Sequence, residues 1–285
     1  MAKIIDGKSI SNEIKQKLKE QTLQFKNQTG ITPGLAVVLV GDDSASKVYV
    51  NNKKKACEQI GFYSQSFELA ESTTEQQLLQ LIDKLNCDNK IHGILVQLPL
   101  PEHIDESKII ESIDPCKDVD AFGSKNVGKI MQGNFDFVPC TPAGVMELLE
   151  YSGIDVAGKD CVVVGRSNIV GKPQAMLLLH KNATVQICHS RTKDLKDKTS
   201  RADILISAVG KAGFITADMV KPSAVVIDVG INRNQEGKLC GDVCFDEVSK
   251  VAGYITPVPG GVGPMTIAML MKNTLTAAKL KVLNN

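Results

Sequence analysis

Tyr49 and Lys53 stand four residues apart in Ser44–Ile60, a stretch that reads as a helix, so they share one face. Lys54 and Lys55 turn away from that face. A lysine aimed at a reacting centre can carry a proton, provided it can be neutral part of the time. From this pair alone, a solvated helix surface is the better reading. Further on, Val96-Gln97-Leu98-Pro99 closes a short apolar run. Ligands of open α/β sheets bind beyond the carboxyl ends of strands, so Gln97 marks a site, and proline after Leu98 stops the strand. Asp118-Val-Asp120 follows in a loop. A carboxylate there can accept from the amino edge of a heterocycle such as guanine or a pterin; an Asx-turn is the plainer reading.

Cys161-Val-Val-Val-Gly-Arg-Ser-Asn-Ile-Val-Gly-Lys-Pro173 points to a second chemistry. An apolar strand turns at Gly165 and resumes as a helix. Free backbone N–H groups and the positive helix end then face one point, an anion site that suits a dinucleotide pyrophosphate. The motif departs from G-x-G-x-x-G: the gap is longer, and Arg166 and Ser167 lie within the turn. Thr184–Cys188 reads as the next strand. About 20 residues past the glycines, NAD-binding units place a carboxylate on the ribose 2′-hydroxyl. His189-Ser190-Arg191 stands there instead. Ser190 and Arg191, with Arg166, would bind a 2′-phosphate through charge-assisted hydrogen bonds, so the expected cofactor is NADP rather than NAD. The alternative is that Arg191 and Lys193 form a solvated surface cluster.

Ile255–Thr266 packs three prolines and three glycines into twelve residues, a composition that fixes a loop while letting backbone approach a ligand. Other chemistries find little support. The four histidines are far apart, Gly165-Arg-Ser167 lacks the second glycine of a nucleophile elbow, and Cys240-x-x-x-Cys244 has no histidine cluster beside it, so no metal site is expected.

The elements that must position these residues alternate between strand and helix. Helices are expected at Ser9 to about Thr29, Ser44–Ile60, Thr74 to about Asn86 with Thr74 as N-cap, from Thr141-Pro142 with Thr141 as N-cap, and Met265 to about Val282. Strands are expected at Gly34–Val40, Phe62–Leu69, Gly93–Val96, Asp160–Val164, Thr184–Cys188, Ile204–Ser207 and Ala224–Asp228. This pattern predicts an α/β fold of two units with parallel sheets, split near Pro139–Pro142. Residues 1–139 form the first, completed by the C-terminal helix from 265 packing back on it. Residues 140–264 form a Rossmann-like dinucleotide-binding unit.

The 285 residues and 43% hydrophobic content allow a packed core. A net charge of +1 argues against nucleic-acid or membrane-surface binding. No apolar run reaches the roughly 18 residues of a membrane span. The N-terminus resembles neither a signal nor a transit peptide, and the scattered cysteines suit buried thiols in a reducing compartment, so the cytosol is expected.

Taken in order, Asp6-Gly-Lys8, Tyr49-Val-Asn-Asn-Lys53, Val96-Gln-Leu-Pro-Leu-Pro101, Lys117-Asp-Val-Asp120, Pro139-Cys-Thr-Pro142, Gly165-Arg-Ser-x-x-x-Gly171-x-Pro173, Asp228-Val-Gly-Ile-Asn232 and Pro257–Thr266 cover nearly the whole chain. Together they resemble the bifunctional methylenetetrahydrofolate dehydrogenase/methenyltetrahydrofolate cyclohydrolase family. The resemblance implies that Lys53 is the central catalytic residue, with Gln97 hydrogen-bonded to it. Tyr49 would pack on the folate ring and Asp120 accept from the pterin amino edge. Val96, Leu98, Pro259 and Gly263 would line the folate cleft. Gly165, Arg166, Ser167, Ser190, Arg191, Ile231 and Thr266 would contact NADP. It also implies a homodimer acting on one-carbon derivatives of tetrahydrofolate. The chain departs from the family at Ala121, where glycine is common, in the loop Ala121-Phe-Gly-Ser-Lys125, and at Arg191, where lysine is often found.

Three other readings stand beside this one. A shikimate- or amino-acid-type dehydrogenase shares the two-unit layout, but only the nucleotide half supports it. A non-catalytic dinucleotide-binding protein would not need Lys53, and a dehydrogenase without the second step would not need the Lys53–Gln97 pair.

Overall fold

The computed structural model describes residues 1–283, apart from the side chains of residues 44 and 45. In chain order the elements are β1 (Lys3–Ile4), α1 (Gly7–Thr29), β2 (Gly34–Val40), α2 (Ser44–Ile60), β3 (Tyr63–Leu69), α3 (Glu75–Cys87), β4 (Gly93–Val96), α4 (Glu106–Ser112), α5 (Ser124–Gln132) and α6 (Cys140–Tyr151). They continue with β5 (Asp160–Val164), α7 (Gly171–His180), β6 (Thr184–Cys188), α8 (Leu195–Thr199), β7 (Ile204–Ser207), β8 (Val225–Asp228), β9 (Asn232–Arg233), β10 (Leu239–Cys240), α9 (Phe245–Val248), β11 (Tyr254–Ile255) and α10 (Val262–Leu283).

The chain divides into two compact units: residues Glu13–Val138 with Ile267–Asn285, and residues Met1–Asn12 with Pro139–Thr266. In the first, the strand order is β3-β2-β4, all parallel. β2 and β4 are buried along their whole length, which is why they read as continuous apolar runs rather than alternating ones. Chain connection runs from β2 outward to β3 and then back across to β4, so the topology switches between β2 and β4. The core joins Val38, Ile82, Ile94 and Ile109. From Ile267 onward α10 belongs to this unit, so the expected return of the C-terminal helix is met. Its Asn273 amide donates to the Val119 and Val138 carbonyls at 2.8 and 2.9 Å.

The second unit carries the parallel sheet β1-β11-β8-β7-β5-β6. Its order reverses at β5, with β6 on one side and β7 on the other. The core is built from Val162, Val164, Leu205, Val226 and Ile255.

Three details differ from expectation. Residues Met1–Asn12 join the second unit rather than the first, because β1 pairs with β11, Lys8 N–H donates to the Gly260 carbonyl (2.9 Å), and Ser11 Oγ donates to the Pro264 carbonyl (2.9 Å). α6 starts at Cys140 with Pro139 as N-cap, so Thr141 is inside the helix and does not cap it. Pro142 is tolerated there because the first helical N–H groups have no intrahelical acceptor to lose. Both α1 and α10 begin earlier than their apolar periodicity suggests, at Gly7 and Val262. Elsewhere α2 matches Ser44–Ile60, ended by Gly61 in the left-handed region, and Thr74 caps α3 in a reciprocal capping box with Gln77.

Candidate active site

In the first unit the expected catalytic residues gather at the carboxyl edge of the sheet, beside its topological switch. Gln97 directly follows β4, and its backbone N–H extends the ladder to the Val38 carbonyl (2.8 Å). Lys53 sits on α2, the helix that follows β2. Its Nζ donates to Gln97 Oε1 at 2.7 Å, while Gln97 Nε2 donates to the Leu98 carbonyl at 2.7 Å. The second bond orients the amide, so the oxygen faces the lysine. Lys53 and Gln97 are half-buried, Lys54 and Lys55 are exposed, and Tyr49, one turn before Lys53, is 41% exposed. Val96 is buried and Leu98 half-buried; the Leu98–Pro99 peptide is cis.

The loop bearing Asp120 is held from below. Lys117, buried, donates to the Leu85, Asn86 and Asp88 carbonyls at 2.8, 2.7 and 2.9 Å, closing the C-terminal end of α3. Burial lowers its pKa. Asp118 is buried as well and accepts from the N–H groups of Phe122 (3.3 Å) and Gly123 (2.9 Å) and from Asn126 Nδ2 (2.9 Å). Lys117 and Asp118 thus shape the loop, and Asp120 remains half-buried at its end. Ala121 has φ 56°, in the left-handed region that favours glycine.

The second unit assembles the nucleotide residues at the carboxyl edge of its own sheet. Gly165 leaves β5 at φ 135°, and a Cβ there would overlap the Ala208 carbonyl oxygen, so only glycine fits. Its N–H donates to the Cys188 carbonyl at 2.9 Å. Ser167 Oγ accepts from the N–H groups of Val170 (3.2 Å) and Gly171 (3.3 Å) at the start of α7, and its O–H hydrogen can still donate outward. After β6, His189 shapes a turn: its N–H donates to Thr192 Oγ1 (2.8 Å), and its Nδ1 accepts from Arg191 N–H (3.2 Å). Ser190 and Arg191 are exposed at the tip, as is Arg166. Ile231, 49% exposed, lies beside Gly263, and Thr266 Oγ1 donates to the Gly263 carbonyl at 2.7 Å. Pro259 follows a cis peptide and is exposed. The bare glycine turn and a basic tip free of carboxylates at 189–191 fit a dinucleotide with a 2′-phosphate, but the N–H groups of Val170 and Gly171, expected to be free for the anion, are taken up by Ser167 Oγ.

Sequence reasoning passed over several residues that the structure makes important. Asp228 was read only as part of a marker and the end of a strand, and Asp242 not at all, yet both are buried and accept several hydrogen bonds. The available signal was a carboxylate closing the apolar run Ala224–Ile227, which a buried strand tolerates only when donors meet it. His92, buried just before β4 with its ring hydrogen-bonded to Gly34 at the start of β2, was considered only as one of four scattered histidines.

A parallel-sheet unit with a glycine turn at its switch point, paired in one chain with a unit presenting a lysine–glutamine couple, defines a nucleotide-dependent α/β enzyme. Residues 5–120 match the catalytic domain, and residues 139–282 the NAD(P)-binding domain, of tetrahydrofolate dehydrogenase/cyclohydrolase. The chain belongs to the tetrahydrofolate dehydrogenase/cyclohydrolase family. It is 62% identical over 280 residues to the bifunctional protein FolD of Acetivibrio thermocellus, covering 98% of each chain. The crystal structure of the bifunctional FolD dehydrogenase/cyclohydrolase from Campylobacter jejuni superposes with a TM-score of 0.96 at 53% identity, over 99% of this chain and all of that one. The Trypanosoma brucei enzyme, solved with NADP cofactor and an inhibitor, gives 0.94 at 42% identity, over 99% of this chain and 98% of its own.

Proposed function

We infer that this chain oxidises 5,10-methylenetetrahydrofolate to 5,10-methenyltetrahydrofolate with NADP and then hydrolyses the product to 10-formyltetrahydrofolate. The observation that carries the reading is the Lys53 Nζ–Gln97 Oε1 hydrogen bond of 2.7 Å at a sheet switch point. NADP, when bound, supplies the acceptor for the hydride that leaves the methylene carbon. Gly165, Arg166, Ser167, Ser190 and Arg191 hold its phosphates, and Ile231 and Thr266 contact the remainder. Tyr49 packs on the folate ring, Asp120 accepts from the pterin amino edge, and Val96 and Leu98 line the folate site. The first step needs alignment of the two reacting rings above all.

The second step needs proton transfer. Water adds to the methenyl carbon, the bond from that carbon to N5 breaks, N5 takes one proton and one is released. Lys53 moves a proton beside that carbon, and Gln97 holds the lysine in place as a neutral acceptor. A dehydrogenase lacking this step would have no use for the pair. The enzyme works in the cytosol as a homodimer and binds neither nucleic acid nor membrane. Its near-zero net charge agrees with the lack of a nucleic-acid partner. None of the described helices is long and apolar enough to cross a membrane.

The test is a spectrophotometric assay of the purified protein with methylenetetrahydrofolate and either NADP or NAD, following reduced nucleotide and methenyl product separately. Reduced NADP without methenyl build-up is expected. Methenyl build-up would remove the second activity, and no reduction of either nucleotide would overturn the reading.

A further inference from the structure

Two carboxylates with no role in the reaction described above are buried beneath the carboxyl edge of the nucleotide unit's sheet. Asp242 is fully buried. Its Oδ2 accepts from Ser207 Oγ (3.2 Å), Val209 N–H (2.7 Å) and Gly210 N–H (3.3 Å), and its Oδ1 from Lys211 N–H (3.0 Å) and Asn232 Nδ2 (2.9 Å). Asp228, 3% exposed, supports it in turn. Asp228 accepts from the N–H groups of Gly230, Asp242 and Val243, each at 2.9 Å. Gly230 must be glycine because a Cβ there would overlap the Asp242 carboxylate.

One side chain therefore gathers the loop after β7 and the segment after β8. Packing alone does not call for this, since buried like charges are unfavourable and apolar residues fill space at less cost. Only a carboxylate accepts on both arms at once. The two loops it joins lie where ligands of such sheets bind. If the 2′-phosphate sits on Ser190 and Arg191 after β6, and the pyrophosphate on the Gly165 turn after β5, the nicotinamide end lies toward β7 and β8. That is the side Asp242 organises, and there Ile231 is left exposed between two residues fixed by the pair, Gly230 and Asn232.

We propose that Asp242, held by Asp228, is a positioning residue for nucleotide: it locks residues 207–211 and the Ile231 segment together as a preformed wall for the nicotinamide end. The proposal rests on the NADP reading above. The test uses the full chain with Asp242→Asn, which turns one acceptor arm into a donor, and Asn232→Ala, which removes only the link to the Ile231 segment. NADP affinity by calorimetry, KM for nucleotide and for folate, and nucleotide-free hydrolysis of methenyltetrahydrofolate are compared. Asp242→Asn should raise the Kd and KM for NADP roughly tenfold and Asn232→Ala roughly threefold, each threefold being under 1 kcal/mol. The folate KM and the hydrolysis rate should stay within about twofold, a split that general loosening would not give. Wild-type NADP affinity in Asn232→Ala, with Asp242→Asn either unchanged or losing both activities together, would overturn the proposal. A wild-type chain that binds no NADP would instead overturn the functional reading beneath it.

Discussion

The Gln97 amide bridges Lys53 Nζ and the Leu98 carbonyl, accepting from the first and donating to the second, both at 2.7 Å. Each arm has one fixed task, so the side chain has no interchangeable orientation. The lysine is thereby held on the α2 face that also carries Tyr49.

This arrangement makes Gln97→Glu informative. A carboxylate cannot donate to Leu98, and it would keep Lys53 protonated as an ion pair. Hydrolysis of methenyltetrahydrofolate should fall by about 100-fold or more, the usual scale of general acid–base catalysis. Lys53→Met should abolish it. Stopped-flow loss of methenyl absorbance reads both, and a Lys53→Met enzyme that still hydrolyses would remove the lysine from the mechanism.

Gly165→Ala tests the nucleotide turn. The new methyl meets the Ala208 carbonyl, and φ 135° is closed to alanine. NADP affinity should drop by roughly 100-fold, near 3 kcal/mol, from strain in the turn. Cyclohydrolase activity without nucleotide should persist, because Lys53 and Gln97 belong to the other compact unit. Equal loss of both activities would point to misfolding rather than a damaged phosphate site.

Arg191 gives a specificity test. It is exposed on the turn that His189 fixes. Arg191→Ala should raise KM for NADP about tenfold, the worth of one charge-assisted contact, while the weaker use of NAD stays within about twofold. Parallel loss with both nucleotides would place the arginine elsewhere than on the 2′-phosphate.

His92 predicts a pH dependence of stability. The ring is 3% exposed, and its Nδ1 accepts from Gly34 N–H at 3.1 Å, which requires the neutral form. Burial first, then the Lys281 and Lys117 charges, lower its pKa from 6.5 to about 4. Between those values the unfolded chain binds the proton and the folded one does not. The stabilising contribution is therefore complete above pH 6.5 and is lost as pH falls toward 4, about 2 kcal/mol of it by pH 5. Urea midpoints at pH 7 and pH 5 should differ accordingly, and His92→Gln should flatten that difference. An unchanged slope in the variant would rule the histidine out as its source.

The alternation of β2, β4, β5 and β7 with helices was legible because strands buried on both faces need uninterrupted apolar side chains, and these runs are short and bounded by turn residues. The Gly165 turn was legible for a related reason: a backbone shape that excludes side chains leaves its mark in residue type. Tyr49 and Lys53 could be placed on one helix face from spacing alone. What spacing could not supply is the meeting of Lys53 with Gln97, forty-four residues on, which depends on β2 and β4 pairing side by side. Nor could it tell Asp118 from Asp120, since one carboxylate is turned inward by Gly123 N–H and Asn126 while the other is left at the loop's end. The Asp228–Asp242 pair was hidden for the same physical reason. A buried charge is tolerated only where donors from distant segments converge on it, and that convergence exists only once the sheet has assembled.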